Sequence, residues 1–327
     1  MKRTLPPFPG ICYNGLKRIE EDDIDMTENG AWLRAWCAFG SVSGLPMGDF
    51  LRLIRETGGP EEAADAPYAT HLKILGAKGA DALRRARDDE AFEATKAWLE
   101  RCPDAHVWTV LDEDFPVRFL HAERSPLCLF TRGNRRLLSG TVLLVAGDGA
   151  DEETLYNTAE FSRSVLEAGY VPSYANRSAL EKVGIRAIIS SPYSPAVVWT
   201  PGAPDRIAGS DLPLCTQLLQ RGGLFVGFRP PGFDGDRTDD ETFYLDVAAG
   251  ADALLVPGCA RNSYVREVAA EMIRWGRDVF AVPGSIHAPS SKGPHLLIRQ
   301  GAKLVESVRD LTEELPVKTF LIEKEFV

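Results

Sequence analysis

From Ala31 to Cys102, apolar residues recur three and four positions apart, as at Phe50, Leu53 and Ile54. That spacing predicts amphipathic helices. Breaks at Gly40–Pro46 and Gly58–Pro60 divide the stretch into short ones. The reading is a small all-α domain over 30–105, preceded by an irregular arm at 1–29 whose Pro/Gly-punctuated start turns acidic in "RIEEDDID". Residues 106–140 read as a connecting segment: a short strand, an Asp/Pro turn, a short helix, and the apolar strand "PLCLFTRGN". From Thr141 the rhythm changes. Continuous apolar runs ("TVLLVAG", "AVVWTPG", "LFVGF", "ADALLVPG", "VFAVPG") alternate with helical stretches such as "SYVREVAAEMIRWG". Strands without polar alternation are buried on both faces, so the pattern predicts an α/β fold with a doubly wound, mostly parallel sheet over 141–312. A tail at 313–327 follows.

Length and composition change this picture little. With 327 residues and 44% apolar positions the chain can bury a large core. Charge matters more. A net charge of −10 is the wrong sign for nucleic-acid binding over a broad surface, although a local basic groove stays open. The six cysteines (Cys12, Cys37, Cys102, Cys128, Cys215, Cys259) lie far apart without a Cys-x-x-Cys pair. They read as reduced thiols of a cytoplasmic protein, and no secretory or membrane-spanning segment is evident.

The loop "VLLVAGDGADEETLY" stands where a doubly wound domain cradles phosphate. Gly147 and Gly149 allow close backbone approach there, and the following helix offers free N–H groups. Asp148, Asp151, Glu152 and Glu153 fill the same loop and first turn, so a self-capped turn is the competing reading. The acidic stretch Pro230–Asp246 reads as a solvated loop, with a hard-cation site at Asp234, Asp236, Asp239 and Asp240 as the alternative. The segment "GRDVFAVPGSIHAPSSKGPHLLIRQGAKLVES" is the most phosphate-friendly of the domain, with Ser285, Ser290, Ser291, Lys292, Arg299 and Lys303. His287 and His295 flank its Pro-Gly loop, but no Cys or carboxylate completes a metal set. No catalytic motif occurs. We therefore expect no enzyme, no cofactor and no metal.

That same segment resembles the end of the Rossmann-like domain of the DNA-processing protein A (DprA/Smf) family. The likeness extends to "FPVRFLHAERSPLCLFTRGN", with Asp112 or Asp114, Phe115 and Pro116 in register, and to "VVWTPGAPDRI". "AFGSVSGLPMGDFLRLIRETGG" is similar to the family's sterile-alpha-motif-like module. The resemblance runs over about 30–312. It implies a Rossmann-like domain after a small helical one, single-stranded DNA binding, a homodimer, and delivery of the strand to a RecA-type recombinase during uptake of foreign DNA. The strand would meet Arg206, Arg261, Ser285, Lys292, His295, Arg299 and Lys303.

The sequence departs from the family where that binding resides. The family's Gly-Ser-Arg after the first strand is "AGDG", so its arginine falls on Asp148 or Gly149. Its Ser-Gly-x-Ala loop keeps Ser173 but puts Tyr174 where glycine belongs. Its Phe-Pro-x-Arg-Asn-Arg run becomes "ETFYLD" (Glu241–Asp246), losing both arginines. Its Ser-Gly-Ser-Leu is "SYVR" (Ser263–Arg266), and the glutamate before it is Cys259. No winged helix is expected after the tail. Tyr174, Phe243 and Tyr244 either offer stacking faces for bases or fill the space left by lost polar partners. Two further readings follow: a relative that has lost strand binding and serves as an interaction or scaffold protein, and a Rossmann-like nucleotide-ligand binder.

Overall fold

The computed structural model describes residues 30–318 except 43, 88, 123–124, 191–194, 205–211 and 233–239. The chain opens with five helices: α1 (Gly30–Gly40), α2 (Met47–Thr57), α3 (Pro60–Asp65), α4 (Tyr68–Ala86) and α5 (Asp89–Arg101). In α2 the periodic positions Met47, Phe50, Leu53 and Ile54 are the buried ones. Gly58 ends that helix at φ 105°, and its N–H returns to the Ile54 carbonyl. A left-handed residue there favours glycine, which has no Cβ to crowd the turn.

The remaining chain builds one nine-stranded sheet, β1-β2-β6-β5-β4-β3-β7-β8-β9 in spatial order. Its elements are β1 (Ala105–Thr109), β2 (Cys128–Gly133), β3 (Val142–Val145), α6 (Glu152–Glu167), β4 (Val171–Tyr174), α7 (Ala179–Ile189) and β5 (Val197–Thr200). They continue with α8 (Leu212–Gln220), β6 (Leu224–Gly227), α9 (Asp240–Ala249), β7 (Ala253–Val256), α10 (Val265–Arg274), β8 (Asp278–Ala281), α11 (Lys292–Arg299), β9 (Lys303–Leu304) and α12 (Val308–Glu314). Strands β3 to β9 are mutually parallel. The segment expected to connect two units instead supplies β1 and β2, antiparallel to each other and added antiparallel to β6.

Alternate residues of each strand enter two cores. Val142 and Leu144 pack on the face that also receives Trp36, Phe39, Phe50, Phe243 and Met272. Leu143 and Val145 pack on the other face with Phe161, Ile185, Ile188 and Leu311. The N-terminal helices therefore share one continuous core with α9, α10 and one sheet face, while α6, α7, α8 and α12 cover the other. The described cysteines are free thiols; Cys37, Cys128, Cys215 and Cys259 are buried. Among the described residues no helix is long and apolar enough to cross a membrane.

Candidate functional site

From β3 the winding proceeds outward through β4, β5 and β6, then returns to β7 on the other side of β3. The order reverses between β3 and β7, and open α/β sheets receive ligands outside the carboxyl ends of such a pair. Four loops gather there: 146–151 after β3, 175–178 after β4, 257–264 after β7 and 282–291 after β8.

The β3 and β7 loops close on each other. Ala146 N donates to Leu255 O (3.1 Å) and Gly149 N to Gly258 O (3.2 Å). A Cβ on Gly147 would lie 2.3 Å from Gly258 O, and one on Gly258 would lie 2.4 Å from Thr154 Cγ2. The glycines therefore serve the close approach of one loop to another. Gly149 also meets the third loop, where an added Cβ would stand 3.0 Å from Ser290 Cβ. The Gly147 loop and the Pro-Gly loop thus come together, with protein backbone between them.

Carboxylates take the N–H groups that a phosphate would need. Asp151 accepts from Thr154 N (3.0 Å) and Thr154 Oγ1 (2.9 Å), capping α6. The Ser290 hydroxyl beside it, followed by these bonds, holds its carboxyl below the usual range. Asp148 Oδ1 accepts from Ala260 N (2.8 Å), joining the β3 loop to the β7 loop. Glu181 Oε2 accepts from Arg177 N (2.8 Å) and Ser178 N (3.0 Å), completing a capping box on α7. Glu181 is fully buried, and burial pushes its carboxyl up to about 7 against the pull of these donors. Three adjacent loops are therefore satisfied from within. A phosphate ~4 Å from any of these carboxylates would meet ~1 kcal/mol of repulsion in water and ~4 kcal/mol in a less polarisable surface site.

The aromatics close the remaining space. Tyr174 is wholly buried and donates to Ser162 Oγ (2.8 Å). Phe243 and Tyr244 are buried as well. Tyr244 stacks on half-buried Tyr264 with ring centroids 3.7 Å apart, and Tyr264 OH donates to Glu181 Oε1 (3.3 Å). The Arg177 guanidinium covers the Phe243 ring at 4.7 Å. These rings fill space instead of presenting free faces.

The candidate cations divide into two groups. Cys259 N donates to Ser290 O (2.8 Å) and Gly293 N to Cys259 O (3.0 Å). This pairing sets exposed Arg261, in the loop after β7, near exposed Lys292, the first residue of α11. Lys292 Nζ also donates to Ile286 O. Exposed Ser285 accepts from His287 N (3.2 Å), and His295 Nε2 bonds the Gly284 backbone (3.1 Å to its carbonyl). Helix α11 then carries the chain away from this edge, so exposed Arg299 and half-buried Lys303 lie toward the amino ends of the strands. Lys303 is engaged by Asp278 Oδ1 (2.9 Å) and Glu314 Oε2 (2.7 Å). Arg206 and the acidic positions Asp234, Asp236 and Asp239 fall outside the described residues. Among the described residues no cluster of His, Cys, Asp and Glu could hold a metal ion.

Glu181, Arg177 and Tyr264 belong to this edge and escape a search for phosphate motifs. The spacing Ser178-x-x-Glu181 does mark a helix start, and that signal locates Glu181 without revealing its burial.

Residues 247–316 match the family model described as DNA recombination-mediator protein A. The protein Smf of Escherichia coli is 28% identical over 238 residues, a match that covers 69% of this chain and 60% of Smf. Among solved structures, DNA processing protein A from Streptococcus pneumoniae superposes with a TM-score of 0.67 at 20% identity, covering 87% of this chain and 97% of that one. DNA processing protein A from Helicobacter pylori, a protein described by its single-stranded DNA binding mode, superposes with a TM-score of 0.55 at 16% identity. That likeness covers 64% of this chain and 94% of the other.

Proposed function

The chain belongs to the DNA-processing protein A (DprA/Smf) family, and from that premise we propose that it acts, without catalysis, in the processing of incoming DNA. In this reading it binds single-stranded DNA as a cytoplasmic homodimer and passes the strand to a RecA-type recombinase. The observation that carries the reading is the backbone pairing of Cys259 with Ser290 and Gly293, which brings Arg261 and Lys292 onto one exposed rim. A strand lying there runs outside the crevice, with Asp148 beside Arg261 the capping carboxylate nearest to it.

A fluorescence-anisotropy titration with a labelled oligonucleotide of ~30 bases tests this. Binding is expected to weaken steeply with salt, because each phosphate contact releases counterions. Arg261→Gln and Lys292→Gln are each expected to flatten the log–log salt slope by about 0.7.

A second reading, an interaction or scaffold protein without strand binding, is favoured by the way Asp148, Asp151 and Glu181 occupy the edge's N–H groups. Absence of binding at low salt overturns the first reading and leaves this one.

A further inference from the structure

Away from the crevice, the helical layer and the sheet meet at a cavity of about 20 Å³. Leu45 and Phe50 wall one side of it, while Ser125, Arg229 and Asp246 supply polar groups. All three polar side chains are buried, with Arg229 only 4% and Ser125 only 5% exposed. Arg229 follows β6, and its Nη1 donates to Phe228 O (2.9 Å) and across the layers to Gly40 O (3.4 Å) at the end of α1. Among the described residues its Nη2 has no hydrogen-bond partner, and neither has Ser125 Oγ. Asp246, on α9, therefore does not take the Nη2 proton directly, although the opposite charges of Arg229 and Asp246 act on one another. Buried donors left unpaired are costly and rare in folded proteins.

The chemistry of this lining selects its occupant. An anion would face Asp246 and a cation would face Arg229. An apolar group would leave Nη2 and the hydroxyl unpaired. A neutral molecule that both accepts and donates satisfies all three, and only a very small one fits. A water needs roughly 10–15 Å³ and two to four polar partners, which this cavity supplies. We propose that the cavity binds one ordered water that accepts from Arg229 Nη2, donates to the Asp246 carboxylate and shares a hydrogen bond with Ser125 Oγ. The junction between helical layer and sheet is then bridged through water and not by a direct salt bridge. Because Arg229 also holds Gly40 O, the water fixes the side chain that ties α1 to the end of β6.

Two measurements decide it. In a crystal structure at a resolution that shows ordered solvent, a density peak within hydrogen-bond distance of both Arg229 Nη2 and Ser125 Oγ is expected. A direct Arg229–Asp246 pair closing the cavity, or no peak there, overturns the proposal. In a double-mutant cycle followed by urea unfolding, Ser125→Ala is expected to lower the midpoint in the wild-type background and to leave it unchanged in Arg229→Met, since both variants disrupt bonds to the same molecule. Additive losses overturn it. If Arg229→Met does not fold, the cycle runs with Asp246→Asn, where a conserved crystallographic peak and a diminished Ser125→Ala effect are expected; an undiminished effect counts against the water.

Discussion

At the scale of single residues, two buried carboxyls stand well above the usual carboxylate range. Burial pushes both Glu181 and Asp246 up to about 7, against Arg177, Ser178 and Tyr264 for the first and Arg229 for the second. Asp148, on the facing loop, and Tyr244 stand near the same cluster as Glu181. An acid whose folded value lies above its unfolded one binds its proton more tightly in the fold, so stability falls as pH rises between the two values. The fold is thus expected to lose stability from about pH 4.5 to about 7 on account of Glu181, by about 3 kcal/mol. Glu181→Gln, which keeps an acceptor for the two backbone N–H groups, should remove most of that slope. Urea midpoints at pH 5 and pH 8 check this: a Gln variant as pH-sensitive as wild type contradicts it. Capping makes a separate prediction. Asp151→Ala is expected to destabilise by roughly 1 kcal/mol through loss of the α6 N-cap, read as a lower thermal midpoint.

Between elements, the glycines of the crevice separate close packing from freedom. Gly147→Ala would drive a methyl into Gly258 O, and overpacking of this kind costs ~1–3 kcal/mol. Gly48→Ala, in α2 with no atom within 4 Å of the new methyl, should be stabilising by ~0.5–1 kcal/mol. Comparing the two in urea distinguishes a loop wedged against its neighbour from one open to a ligand: a harmless Gly147→Ala would mean the loops part easily. Such elements differ in how plainly the sequence announces them. The runs "VLLV" and "ALLV" are legible as strands because burial on both faces removes polar alternation. The glycines of "AGDGA" are equally visible, but whether they admit a ligand depends on Gly258 and Ser290, which arrive from other strands. The acids of the loop were the better guide, because capping is a local interaction and leaves a local signature.

Across the whole molecule, the parallel sheet and its two covered faces follow from the strand–helix rhythm, whereas its extent does not. Strands β1 and β2 look like a connector because their partner β6 lies far along the chain. The helices before them pack into the same core as the sheet, joined through contacts that periodicity cannot reveal. Long-range polar ties are equally silent in sequence. Arg118 pairs with Asp252 at 3.0 Å, and Asp252 also accepts from Val142 N at 2.8 Å. Arg277 donates to the carbonyls of Ala248, Ala249 and Ala251 and, at 2.6 Å, to that of Arg118. Arg277→Met strips four acceptors at once and is expected to cost ~3 kcal/mol or more, with Arg277→Lys intermediate, as read by the urea midpoint. At the same amino-terminal side of the sheet, Tyr170 OH holds Leu315 O (2.6 Å) and Lys318 N binds Thr141 Oγ1 (2.7 Å). Strand β3, roughly 13 Å long, separates that anchor from the rim of Arg261 and Lys292. A dye or surface tether attached at Lys318 would therefore sit on the side opposite the proposed strand path, so the protein can be immobilised there with the rim of Arg261 and Lys292 turned toward solution.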